Sequence, residues 1–190
     1  CHMGRRYLGR HRGRHLRGDP LTETSFEFVP GDVRWKKLRE KGLSDLYTFA
    51  SVILGYGSRV PMTEEAHKLL CKIVERKTRV QFLDTAIMRK FEMPRGTGKT
   101  TVITQAYLIQ RICRNPNIAI MLANENVETA KAILSEIKQQ FENNELLRCL
   151  YTEAIPQNTK DTTWSALAIT VNRTESRKEP TVFVVGGGGT

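Results

Sequence analysis

An α/β fold is predicted by three observations. A glycine-bearing loop, Met93-Pro94-Arg95-Gly96-Thr97-Gly98-Lys99-Thr100-Thr101, runs straight into a helix-forming stretch. That stretch, 102–113, places Val102, Ala106, Ile109 and Cys113 on one stripe. Asn115-Pro116 stops it, and the apolar run 117–123 then reads as a buried strand. Loop, helix, turn and strand in this order make the unit of a nucleotide-binding α/β protein. The fold class predicted is therefore the P-loop NTPase three-layer sandwich, incomplete in this chain and preceded by helices.

The loop carries the chemistry. Gly96 and Gly98 let the backbone turn through positive φ, so that amide N–H groups can converge on an anion. Lys99 supplies a point charge for β- and γ-phosphates, Thr100 a hydroxyl for Mg²⁺, and the following helix its positive end. The general pattern asks for glycine at position 93, where Met93 stands, and Arg95 adds a charge within the loop. The stretch before the loop should be an apolar strand, yet Arg89, Lys90 and Glu92 interrupt Ile87, Phe91 and Met93. A chance glycine turn is the competing reading.

The chain of 190 residues carries a net charge of +10, unevenly spread. Residues 1–20 hold Arg5, Arg6, Arg10, Arg12, Arg14 and Arg17 against one aspartate, a net of +5, whereas residues 91–190 hold a net of only +1. These arginines suit a polyanion, with nucleic acid the first candidate and a solvated tail the alternative. Cys1 and His2 precede Met3, where natural sequence is expected to begin. Residues 1–42 read as a basic tail and linker, partly disordered. His2, His11 and His15 lack a partner pair at metal-ligand spacing, so no metal site is expected there. Cys71, Cys113 and Cys149 fall at apolar helix positions and read as buried thiols of a reducing compartment. No membrane span or signal peptide is expected.

The remaining elements follow in order. Trp35 to Arg39 begin a helical segment closed by Gly42. A helix from Ser44 places Leu43, Leu46, Tyr47, Ala50, Ile53 and Leu54 on one face, with Gly55 as its cap. Thr63 caps the next helix, whose predicted stripe is Ala66, Leu69, Leu70, Ile73 and Val74. His67 lies off that stripe and reads as a surface histidine. Residues 78–86 fit either a helical extension or a short strand. After the strand, Val127, Ala130, Leu134, Ile137 and Phe141 define a long helix with Asn124 as N-cap. A short helix follows, and 163–171 and 181–185 read as strands.

A P-loop ATPase needs acidic residues at the end of a later strand to hold the Mg²⁺ shell and orient water. No apolar run after Thr100 ends in Asp or Glu; Asp84 closes a short apolar run but lies upstream. Catalytic residues are therefore expected to be none in this stretch, which reads as the front portion of an ATPase ending before its Walker B carboxylates.

Several stretches in order resemble the large terminase subunit of tailed bacteriophages. They are Leu46-Tyr47-Thr48-Phe49-Ala50, then Met62 with His67-Lys68-Leu69-Leu70-Cys71, then the Pro94 to Thr101 loop. Asn115-Pro116-Asn117, Ala123-Asn124-Glu125-Asn126 and Val184-Val185 with the glycines to Thr190 continue the likeness. It covers residues 43–190, and a basic residue in a loop lacking the first glycine suits that family. The resemblance implies an ATPase motor domain that couples ATP and Mg²⁺ to movement of double-stranded DNA into a capsid. It implies nucleotide binding by Arg95, Gly96, Thr97, Gly98, Lys99, Thr100 and Thr101, with Thr100 on Mg²⁺ and Arg95 sensing the nucleotide or a neighbouring subunit. The portal protein, the small terminase subunit and further copies in a ring would be partners, in the host cell cytoplasm. The family's C-terminal nuclease domain has no counterpart in this stretch. A helicase-like translocase and a non-enzymatic nucleic-acid-binding fragment are the alternatives.

Overall fold

The computed structural model describes residues 32–59, 62–160 and 162–187. Within them the chain is a mixed α/β fold with several helices and a small three-stranded sheet. The arginines of the predicted basic tail, and His2, His11 and His15, lie outside the described residues. Among the described residues no helix is long and apolar enough to cross a membrane.

Helix α1 spans Val33–Ser44. Asp32 starts it by accepting from the Arg34 N–H at 2.8 Å. Gly42 does not close this helix, contrary to the sequence reading; the helix runs past it. The glycine is buried, and a Cβ there would meet Ile53 and come within 2.8 Å of the Tyr151 hydroxyl. It is the point where α1 is crossed closely, and Gln110 Nε2 donates to its carbonyl at 2.7 Å.

Helix α2, Leu46–Thr48, continues as a π-helical stretch, Phe49–Ile53. Gly55, at φ +69°, ends it as predicted. A short helix α3 covers Tyr56–Arg59. Thr63 caps the next stretch, accepting from the Ala66 N–H at 3.4 Å. It begins as a π-helical turn, Glu64–Lys68, and becomes α4, Leu69–Glu75. Its buried positions are His67, Leu70, Cys71 and Val74, while Ala66 is exposed and Leu69 is 56% exposed. The stripe is turned by about one position from the predicted one. His67 is therefore a buried residue, not the surface histidine expected. The ambiguous segment 78–86 contains a short helix α5, Gln81–Thr85.

The glycine loop leads into a π-helical stretch, Thr100–Ala106, that continues as α6, Tyr107–Arg114. Val102, Ala106, Ile109 and Cys113 are all buried, as the periodicity predicts. Strand β1 is Ile120–Asn124 and helix α7 is Val127–Asn143. The N-cap of α7 is Asn126 rather than Asn124: Asn126 Oδ1 accepts from the Glu128 N–H at 2.8 Å. Asn124 serves one step earlier, its Oδ1 accepting from the Asn126 N–H at 2.9 Å. Helix α8 is Glu145–Leu150, β2 is Ala168–Ile169 and β3 is Val182–Gly186.

The strand expected over 163–171 is reduced to β2 because the chain doubles back within it. Ser165 N–H donates to the Ala168 carbonyl at 2.8 Å, and Thr170 N–H to the Thr163 carbonyl at 2.7 Å. These bonds make 163–170 a tight hairpin. Within the sheet the order is β1-β3-β2, β1 parallel to β3 and β2 antiparallel to it. The register sets Leu122 beside Val184 and Ala123 beside Val185. Ile120, Leu122, Val182 and Val184 pack into the core with α7 against their strands. The opposite face leaves Met121 60% and Val185 39% exposed. Residues 86–93 add no strand to the sheet.

A carboxylate ties these parts together. The Glu75 side chain is 2% exposed, and its Oε2 accepts from the Leu46 N–H at 3.0 Å, at the start of α2. Its Oε1 pairs with Lys77 at 2.9 Å and with Arg114 at 3.3 Å, at the end of α6. Arg114 Nε also donates to the Leu43 carbonyl at 2.6 Å. Replacing Glu75→Ala leaves a backbone N–H and a guanidinium without their acceptor. A loss of about 3 kcal/mol is expected, at the lower end for a broken buried pair because both cations reach solvent. Urea denaturation of the two proteins measures it.

Candidate functional site

Residues 93–101 line a concavity of about 390 Å³ by themselves. Gly96 sits at φ +81° and Gly98 at φ +69°, the left-handed region that their positions in the sequence predict. Nothing lies within 4 Å of where a Gly96 Cβ would stand, so its glycine answers to backbone conformation and not to crowding. The Thr97 hydroxyl donates back to the Pro94 carbonyl at 2.9 Å and closes the turn. The Gly98 carbonyl accepts from the Val102 N–H at 2.9 Å and starts the helix. Lys99 directly precedes the helix, and Thr100 is its first residue and exposed. The structure thus gathers Arg95, Gly96, Thr97, Gly98, Lys99, Thr100 and Thr101 around one hollow, with the Arg95 side chain exposed.

The loop is held from behind by His67. Its Nδ1 accepts from the Thr63 N–H at 3.0 Å, so the ring proton is on Nε2, which donates to the Thr97 carbonyl at 2.9 Å. The sequence reading placed this residue on the surface, off the predicted stripe. The available signal was its spacing: His67, Leu70, Cys71 and Val74 form an i, i+3, i+4, i+7 set once histidine is admitted to the stripe.

The helix beyond the loop is anchored at Gln105, which is 4% exposed. Tyr56 Oη donates to Gln105 Oε1 at 3.3 Å, and Gln105 Nε2 donates to Glu136 of α7. A second cavity of about 410 Å³ opens there, with Leu54, Gln140 and Asn144 also on its wall. Asn144 Nδ2 donates to Gln140 Oε1 at 2.8 Å, so its amides engage one another.

Acidic groups do not converge on the loop in the manner of a metal site. Among the described residues no cluster of three His, Cys, Asp or Glu side chains could hold a metal ion. Strand β1 ends at Asn124 and β3 at Gly186. Asp84, the acid that closes the short apolar run upstream of the loop, is committed to its own turn. Its Oδ1 accepts from the Thr78 N–H at 3.0 Å and hydroxyl at 2.8 Å, and its Oδ2 from the Arg79 N–H at 2.9 Å. Arg79 in that turn stands at φ 65°, and Arg76, the C-cap of α4 just before it, at φ 62°, an uncommon conformation for side chains of this size. The Cys71 and Cys113 thiols are buried. Burial, with the charges of Glu75 and Asp45, pushes the Cys71 thiol up to about 12, and burial raises Cys113 further. Cys149 is half-buried.

No protein-family model, curated protein or solved structure matches the chain.

The Asp84 turn makes a pH prediction. Partial desolvation works to raise the Asp84 pKa, but hydrogen bonds from Thr78 and Arg79 and the charge of Arg89 outweigh it and hold the carboxyl below its ordinary 3.8. A carboxylate depressed in the folded state adds stability that is fully present above its unfolded pKa. That stability is lost as pH falls through the folded value. The protection of the Thr78 and Arg79 amide protons, read by NMR as exchange relative to the intrinsic rate at each pH, should therefore fall as Asp84 protonates below pH 4, and Asp84→Asn should lower it at neutral pH.

Proposed function

We propose that this chain is the nucleotide-binding front of a DNA-packaging ATPase of the large-terminase kind, belonging to a P-loop three-layer sandwich. The observation that carries the reading is the loop itself. Two glycines in the left-handed region flank Thr97, a lysine follows, and a helix begins at the next threonine, all around one hollow. A backbone of this form suits a polyphosphate because its curvature and the helix start both favour negative charge.

In this reading ATP enters the 93–101 hollow. Lys99 faces the β- and γ-phosphates, Thr100 offers its hydroxyl to Mg²⁺, and Gly96, Thr97, Gly98 and Thr101 line the phosphates. Arg95 is free to reach the nucleotide or a neighbouring copy. Mg²⁺ would supply charge neutralisation at the transferring phosphoryl group. The uncovered face of the sheet, with Met121 and Val185, is where a third layer would pack. Double-stranded DNA, the portal protein, the small terminase subunit and further copies of the chain are the partners of such a motor, in the host cell cytoplasm. Arg5, Arg6, Arg10, Arg12, Arg14 and Arg17 would meet DNA phosphates.

Because no acid ends β1 or β3, the chain is expected to bind nucleotide without turning it over. Positioning and charge stabilisation are nearly all that a protein contributes to phosphoryl transfer, so lacking the water-orienting acid costs orders of magnitude in rate. Two measurements test the reading. Calorimetric titration with ATP and Mg²⁺ should show binding to the unmodified chain and its loss in Lys99→Ala, with the thermal transition unchanged. Phosphate release should stay at background. Equal binding by both proteins, or none by either, removes the phosphate-loop assignment. Sustained turnover would reveal an acid not identified among the described residues.

A further inference from the structure

We infer that His67 is a positioning residue for the glycine loop, holding it in the nucleotide-receiving form from the neighbouring helix; this rests on the nucleotide reading above. The geometry is specific. His67 is 6% exposed and bridges two backbone segments far apart in sequence, Thr63 on one side and Thr97 on the other. Nδ1 faces Thr63, whose N–H lies at 3.0 Å and whose hydroxyl at 3.5 Å, Nε2 faces the Thr97 carbonyl, and the two backbone partners demand opposite roles. The Thr63 N–H requires an acceptor at Nδ1, and the Thr97 carbonyl requires a donor at Nε2. Only the neutral ring with its proton on Nε2 satisfies both.

The location of the bond matters. Thr97 lies between Gly96 and Gly98, the two residues at positive φ. The peptide that carries its carbonyl also carries the Gly98 N–H. Anchoring that carbonyl fixes the orientation of the whole peptide plane, because the peptide unit is rigid. Glycines give the loop its reach but also its freedom, since each has more conformations to lose than any other residue. One buried hydrogen bond between the two glycines removes that freedom before a ligand arrives. A loop already ordered loses less entropy on binding. His67 is thus not a group that touches the reacting atoms; it acts through Thr97.

The side chains of glutamine and asparagine separate the two halves of this role. Glutamine can place an amide N–H near the position of Nε2, and asparagine an oxygen near that of Nδ1. In His67→Phe both bonds go, in His67→Asn only the Thr63 bond remains, and in His67→Gln the Thr97 bond is regained. Three readouts on the full chain decide the matter: calorimetric affinity for ATP with Mg²⁺, amide exchange of residues 96–100 without nucleotide, and the thermal transition. Roughly three- to tenfold weaker binding is expected for His67→Phe and His67→Asn, the scale of one hydrogen bond. Exchange at Gly98 should be faster in both, and His67→Gln should recover most of each effect. In the unmodified chain, ¹⁵N shifts of the His67 ring should show the proton on Nε2. Loss of affinity that follows the thermal transition alone, without rescue by glutamine, overturns the proposal, because a merely structural histidine would behave so. Unchanged affinity in His67→Phe, with binding intact in the unmodified chain, overturns it while sparing the nucleotide reading. Absence of binding in the unmodified chain overturns that reading and this proposal together.

Discussion

The Glu75 carboxylate is the constraint on which the placement of the glycine loop depends. It sits at the end of α4, yet it accepts from the first amide of α2 and pairs with Arg114 at the end of α6. Three helices from separate parts of the chain are thereby fixed at one point. A buried acid is tolerated only where its charge and its lone pairs are satisfied. Here a backbone N–H, an ammonium and a guanidinium do so. The helix after the loop is thus held at its far end by Arg114 and near its middle by Gln105. The loop needs only one further support, and His67 gives it.

The sheet is a lesser constraint than the helices. Three strands with one buried face cannot organise a core of this size alone. Most of the largest fully buried side chains, Tyr151, Phe49, Phe141 and Leu46 among them, belong to helices or follow directly from one, and only Ile169 of that set among the described residues lies on a strand. The Phe49 and Tyr151 rings meet at 5.9 Å, and Gly42 passes beside both. The loop's helix packs onto this helical body on one side and onto α7 on the other. That arrangement explains how residues 88–93 can approach the loop as an extended strip without joining a ladder. The strip is anchored by Phe91 and Met93 against the core instead.

Much of this was legible from residue spacing. Periodicity alone located α6 and α7 with most of their buried residues, Val127 of the α7 stripe being only half-buried, since a strong apolar stripe leaves little choice of face. The two loop glycines were legible because positive φ is so strongly a glycine property. Misread features share a cause: polar residues with interior duties. His67 was assigned to the surface because it lay off the predicted stripe, which in the structure is turned by one position and includes it. Glu75 and Gln105 gave no signal, because a buried acid or amide looks like a solvent-facing one until its partners are known. Asn124 and Asn126 both suit an N-cap, and only the backbone shows that the second takes the role. The strand over 163–171 failed because β propensity does not register that Ser165 can fold the chain back. The tail arginines lie outside the described residues, so their role rests on charge alone.

The strained turn of Arg76 and Arg79 has a consequence for how the molecule could be divided. It is an exposed segment with two basic residues in an unfavourable backbone, Arg76 held by the end of α4 and Arg79 by the Asp84 side chain. These are the properties of a site where trypsin nicks a folded protein. A cut there would separate α1 to α4 from everything that follows. The halves would nevertheless remain joined, because the Glu75 to Arg114 pair, the Gln110 bond to Gly42 and the His67 bond to Thr97 all cross the break. The polypeptide is in effect two complementary pieces sharing one interior. The glycine loop belongs to the second piece, and the histidine that steadies it to the first.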